Sequence, residues 1–179
     1  MRNCCDAPRI LPATFSTSSI DSKRRSEIHS RPLLELSLIL LVNKKHHLVS
    51  AKQLWSRDKI EETLITFLRG DTVQTHFQRV LERFGVEWFP GIEVNSTRLI
   101  EQYVANGYGI RATVATPGFK APPGVRVISL AGFPPVVVGA AWAGKLSPIA
   151  QQFLAEVEIE ANAVKRSTKS LAIPAIYGH

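Results

Sequence analysis

The stretch Gly91–Val114 constrains the fold more than any other part of the chain, because it reads as strand, turn, helix, turn and strand within 24 residues. Gly91–Val94 is short, β-branched and bounded by Gly and Asn, which suits a buried strand. Asn95 and Ser96 follow, both good N-cap residues: a short side-chain oxygen can accept from the free N–H groups of a first helical turn. Leu99, Ile100, Tyr103 and Val104 then fall on one face of a helix. Gly107 stands where a left-handed residue stops it, and Ile110–Val114 restarts as a strand. A crossover helix between two strands implies parallel pairing. Ligands of open α/β sheets bind beyond the carboxyl ends of the strands, where helix N-termini point. Asn95, Ser96 and Thr97 therefore mark a candidate binding edge.

The neighbouring segments repeat the pattern. Leu36–Asn43 is an almost unbroken apolar run, as expected of a strand buried on both faces. Ala51–Trp55 suits one helical turn, and Thr63–Phe67 a second strand. Asp71–Phe84 is the clearest helix: Val73, Phe77, Val80, Leu81 and Phe84 share one face, Asp71 can cap it and Gly85 can end it. Val125–Leu130 and Val136–Trp142 read as further strands. Ser147–Pro148 is a cap followed by Pro at the first helical position. The helix it starts carries the apolar stripe Ile149, Phe153, Leu154 and Val157 and is expected to end near Ala161 or a turn later. Residues 1–32 and Arg166–His179 show no periodicity and are expected to be irregular. Alternating strands and helices give an α/β fold with a mostly parallel sheet flanked by helices.

Net charge is +7 over 179 residues, which at first sight suggests a nucleic-acid binder. Its distribution argues otherwise. Residues 1–32 contribute +3 and residues 161–179 another +3, leaving +1 on the body. Such basic tails usually mark solvated arms. The two cysteines, Cys4 and Cys5, are adjacent in the first tail and cannot staple a core. No zinc or cofactor motif occurs, so no metal and no cofactor are expected. His46–His47 is a sequence-adjacent pair in a Lys-rich loop, a poor chelating arrangement. No nucleophile motif, phosphate loop or partnered carboxylate pair points to an enzyme. The longest apolar run is too short to span a membrane, and the chain begins without a signal-peptide pattern; the expected location is cytoplasmic.

Four segments in order, Leu36–Val49, Leu64–Glu87, Gly91–Ile110 and Gly124–Val157, resemble the effector-binding domain of LysR-type transcriptional regulators. The resemblance covers about Leu33–Val157. It implies a periplasmic-binding-protein-like (type 2) architecture in which a small-molecule effector is held between two lobes. Residues 33–131 would form mainly the second lobe, and 132–160 would return to an incomplete first lobe. The winged helix-turn-helix, the linker helix and the front of the first lobe have no counterpart in this sequence, so the resemblance implies a truncated regulator without direct sequence-specific DNA binding. It places effector contacts on Phe67, Arg69, Gly70 and Thr72, and on Asn95, Ser96 and Thr97. Two helix N-termini and one guanidinium suit a small carboxylate or similar anion. The helix Asp71–Phe84 corresponds to one the family uses to dimerise, with itself or with a related chain. Arg111 stands where the family usually places a small or apolar residue, and either narrows the cleft or points to solvent. Two other readings stay open: a remnant that acts only as an interaction or heterodimerising protein or is inert, and an extracytoplasmic solute-binding protein of similar fold.

Overall fold

The computed structural model describes residues 28–57, 59–68 and 71–170. The segments 1–27 and 171–179, with Cys4, Cys5 and most of both expected tails, lie outside the described residues, as do Arg69 and Gly70. The chain forms two compact units. One is Leu36–Val136, and the other combines, among the described residues, 28–35 with 137–170.

The larger unit is built on β2 (Leu38–Asn43), whose first five residues are all buried. Strand alternation sends its side chains to opposite faces. Leu38, Leu40 and Val42 join one apolar cluster with Phe77, Leu81 and Ala112. Ile39 and Leu41 join another with Ile65, Ile100 and Val104. A near-continuous apolar run was required because both faces are covered.

Strand β2 lies between β5 (Arg111–Val114) and β6 (Val125–Ser129) and is antiparallel to both. Strands β3 (Leu64–Phe67) and β4 (Pro90–Val94) pair in parallel. A single parallel bridge from Leu64 to Ile110 attaches β3 to the start of β5. The order is thus β4-β3-β5-β2-β6, parallel on one side and antiparallel on the other. The α/β class is as expected, but the mostly parallel sheet is corrected to a mixed one. A buried apolar run gives no sign of its neighbours' direction. The strands flanking α3 also do not pair with each other: β3 lies between them, and the crossover spans it.

Helix α2 (Thr72–Arg83) covers one face and α3 (Thr97–Ala105) the other. Both stop as their sequences require. Gly85 and Gly107 have φ of +67° and +78°, the left-handed region that favours glycine. After α3, Gly107 N–H donates to Val104 and Tyr108 N–H to Tyr103, a complete Schellman closure. The rings of Tyr103 and Tyr108 meet edge to face at 5.6 Å, supplying its apolar contact. The short helix α1 (Lys52–Trp55) packs Leu54 into the first cluster.

The smaller unit holds β1 (Ile28–Leu36), which pairs with β7 (Val136–Ala143), and α4 (Pro148–Ser170). Three expectations are corrected here. Ile28–Pro32 belong to a strand rather than an irregular tail, and the apolar run breaks at Ser37 into two strands. Helix α4 runs well past Ala161, to Ser170. Its start is as read: Ser147 Oγ accepts from Ala150 N–H at 3.3 Å. Ile149 and Phe153 stand 81% and 50% exposed, so the expected stripe on this helix is largely uncovered within its unit. No described helix is long and apolar enough to cross a membrane.

Candidate functional site

The carboxyl ends of β3 and β4 meet at one edge of the larger unit, joined by Leu68 N–H donating to Val94 carbonyl at 2.8 Å. The N-termini of α2 and α3 follow directly. Phe67 ends β3, half-buried; Thr72 opens α2, also half-buried; Ser96 is the half-buried N-cap of α3, between the exposed Asn95 and Thr97. Arg69 and Gly70, the remaining expected contacts, lie outside the described residues.

The two helix N-termini differ. At α2, Asp71 Oδ1 accepts from the N–H groups of Val73 and Gln74, at 3.0 and 3.2 Å. That is full capping, and the carboxylate also compensates the helix dipole. At α3, Ser96 has the extended backbone of an N-cap but makes no side-chain capping bond. Its hydroxyl, read from sequence as a cap, is not committed to the helix.

Arg111 corrects the reading that would point it to solvent. It is 4% exposed, its guanidinium pairs with Asp71 Oδ2, and it lies 5.1 Å from the centre of the Phe67 ring. A weaker bond of 3.4 Å runs from Nη1 to the Ile65 carbonyl. Asp71 thus satisfies α2 with one oxygen and Arg111 with the other. The residues are 40 apart in sequence, and only the placement of β5 beside β3 brings them together. The site's charge is therefore balanced at α2, and α3 is left as its electropositive end.

A second polar cluster lies at the opposite edge, where the loop after β2 meets the approach to β3. Arg57 donates to Glu62 at 2.6 Å, and its other nitrogen lies 3.1 Å from His47 Nε2. The His46 and His47 rings stack at 4.5 Å. Arg126 secures the loop by donating to the carbonyls of His46 and Leu48. Burial pushes His46 below its ordinary pKa of 6.5, helped by the charge of His47 and opposed by Glu62. Burial pushes Glu62 up, but its own backbone N–H, the Arg57 hydrogen bond and the Arg57 charge together hold it below 4.5. No group of three or more His, Cys, Asp or Glu among the described residues is placed to hold a metal ion.

An α/β unit with helices on both faces of its sheet has the type 2 periplasmic-binding-protein-like fold. The LysR substrate binding domain model matches residues 17–161, and the chain belongs to that family. Solved structures agree on the fold. HinK, a LysR family transcriptional regulator from Pseudomonas aeruginosa, is 21% identical with a TM-score of 0.61, over 82% of this chain and 51% of that one. The CcmR regulatory domain from Synechocystis, in complex with 2-PG, is 21% identical with a TM-score of 0.63, over 81% of this chain and 71% of that one. The effector-binding domain of QuiR, in complex with shikimate, is 16% identical with a TM-score of 0.63, over 82% and 70%. The chain spans about half the length of the regulators it matches first, 53% and 51%. No curated protein sequence gives a significant match.

The pairing of Asp71 makes its two substitutions unequal. Asp71→Ala removes a cap and strands a buried guanidinium, and should cost about 3–5 kcal/mol in urea unfolding. Arg111→Met leaves the cap in place and should cost clearly less. A double variant whose loss equals the sum of the two single losses would show that the pair does not couple β5 to α2. The second cluster sets a pH dependence. Both shifted groups bind protons more readily unfolded than folded, so the stability each contributes is present above its unfolded pKa and lost as pH falls. The urea midpoint should fall as pH drops through 6.5, from His46, and again below 4.5, from Glu62. His46→Asn should remove the first fall and keep the second.

Proposed function

We propose that the chain is a small-molecule sensor module of a LysR-type transcriptional regulator, acting in the cytoplasm, neither an enzyme nor itself a sequence-specific DNA reader. The observation that carries this is the asymmetry of the two helix N-termini at one strand edge. Asp71 occupies that of α2, whereas at α3 the Ser96 side chain makes no capping bond, which leaves the first-turn N–H groups uncapped among the described residues. Such a terminus suits one carboxylate or similar anion. In this reading Phe67, Thr72, Asn95, Ser96 and Thr97 contact the effector, and the further expected contacts Arg69 and Gly70 lie outside the described residues. The structural neighbours in complex with 2-PG and shikimate support a small-molecule effector.

In this reading the module pairs with a second copy, or a related chain, through the helix spanning Asp71–Phe84. Phe84 at its end is 55% exposed, as such a contact needs. Sedimentation of the full chain should give twice its 19.8 kDa mass, and a monomer at all concentrations would remove the dimer from the account.

A ligand that binds only the folded state stabilises it by mass action, about 2.7 kcal/mol at one hundred times its Kd. Screening small carboxylates against the full chain should find compounds that raise the melting temperature. Ser96→Ala should weaken the response about tenfold, the scale of one charge-assisted hydrogen bond. A panel with no stabilising compound would contradict the sensor reading. It would favour the interaction-only alternative, to which the exposed Ile149 and Phe153 of α4 lend some support.

A further inference from the structure

The second polar cluster surrounds an open cleft of about 530 Å³, lined by His46, His47, Arg57, Lys59, Glu61 and Glu62. Its size falls within the range of small-molecule sites, about 300–1,000 Å³. Part of its chemistry is committed internally. Arg57 donates to Glu62 Oε1 and holds its other terminal nitrogen against His47 Nε2. Leu48 N–H donates to His46 Nδ1 at 3.1 Å, so the neutral His46 ring carries its proton on Nε2. The Glu62 side chain is 9% exposed, and its second oxygen, Oε2, is buried with no hydrogen-bond partner among the described residues. The residue's own backbone N–H helps keep the carboxylate charged without closing a hydrogen bond to Oε2.

A buried charged oxygen without a donor is costly, and native structures keep few such atoms. Here the atom belongs to a residue that lines a cleft, so the missing donor has a route of entry. Lys59 and Glu61, both exposed, have no ion pair or side-chain hydrogen bond among the described residues. The uncommitted groups are therefore of both signs: the carboxylates of Glu61 and Glu62, the Lys59 ammonium and the His46 N–H. A simple anion is repelled by Glu61 and Glu62, and a simple cation by Arg57 and Lys59. No grouping of His, Cys, Asp and Glu among the described residues suits a metal ion. A small molecule carrying both an ammonium and a carboxylate meets both halves of the lining at once.

We propose that this cleft is a second ligand site and takes a zwitterion of the α-amino-acid class. Its ammonium supplies the donor that Glu62 Oε2 lacks, with Glu61 as a second acceptor, and its carboxylate meets Lys59 and the His46 Nε2 proton. The site is independent of the anion reading of the α3 terminus. It also has an internal reporter. The Trp88 indole N–H donates to the Glu62 backbone carbonyl at 2.6 Å, and Trp88 itself is 4% exposed, too buried to touch a ligand.

The test is calorimetry of the full chain with the standard α-amino acids, each compared with its deamino acid and its decarboxylated amine, as alanine with propionate and ethylamine. At least one amino acid should bind about tenfold or more tighter than either analogue, the scale of one charge-assisted hydrogen bond, and should shift the Trp88 indole proton resonance. Lys59→Met and Glu61→Gln, at exposed positions, should each weaken that binding about tenfold. Ser96→Ala should leave it unchanged. No binding by any amino acid would show that solvent alone serves Glu62 Oε2 and would overturn the site. An analogue that binds as tightly as its amino acid would overturn the zwitterion. Binding lost in Ser96→Ala but kept in Lys59→Met and Glu61→Gln would belong to the α3 terminus, which also overturns the second site. The comparison of amino acids with their analogues on the parent chain decides the matter even where a variant fails to fold.

Discussion

Everything in the larger unit depends on β2 being buried on both faces. Its alternate residues supply the inner wall of both apolar clusters, so α2 and α3 are held on opposite sides by one strand. Leu40 and Val42 are fully excluded from solvent. The free energy of burying such side chains, about 1.5–3 kcal/mol each, far exceeds that of any surface ion pair in the molecule. Because β2 is fixed, β5 is fixed beside it, and β5 carries Arg111 to the edge where β3 and β4 end. The site's electrostatics are thus a consequence of packing.

The pairing of Arg111 with Asp71 is where fold and site meet. Removing two charges from water is costly and is offset only by close contact with further hydrogen bonds. Asp71 meets that condition by capping α2 with its other oxygen, and Arg111 by lying on the Phe67 ring and reaching the Ile65 carbonyl. The result is an edge with one helix N-terminus neutralised and the other open. In the proposed function this difference directs an anion to α3.

Local chemistry made part of this legible. Asp71, Gly85, Gly107 and the Ser147–Pro148 start each act within a few residues, and each stands where the sequence put it. The mixed sheet was not legible, because the apolar run of β2 records burial and not the direction of its neighbours. Strand β1 was missed because Ile28–Pro32 are all exposed and carry no alternation. The extent of α4 was missed because its last turns hold little apolar pattern. At the site, positions in the loops were readable from the strand and helix ends. The fate of Arg111 was not, since its partner lies 40 residues away and is reached only through the sheet. Ser96 was read as a cap from its type alone, and in the structure its side chain makes no capping bond.

The most direct test of the account is hydrogen exchange on the full chain, with and without a saturating carboxylate that stabilises it. The account predicts slowed exchange at the amides of 66–68, 71–74 and 96–99, with the His46–Glu62 edge unchanged. Protection confined to that far edge, or absent from the turn into α3, would contradict the placement of the site and the central role given to the open helix terminus.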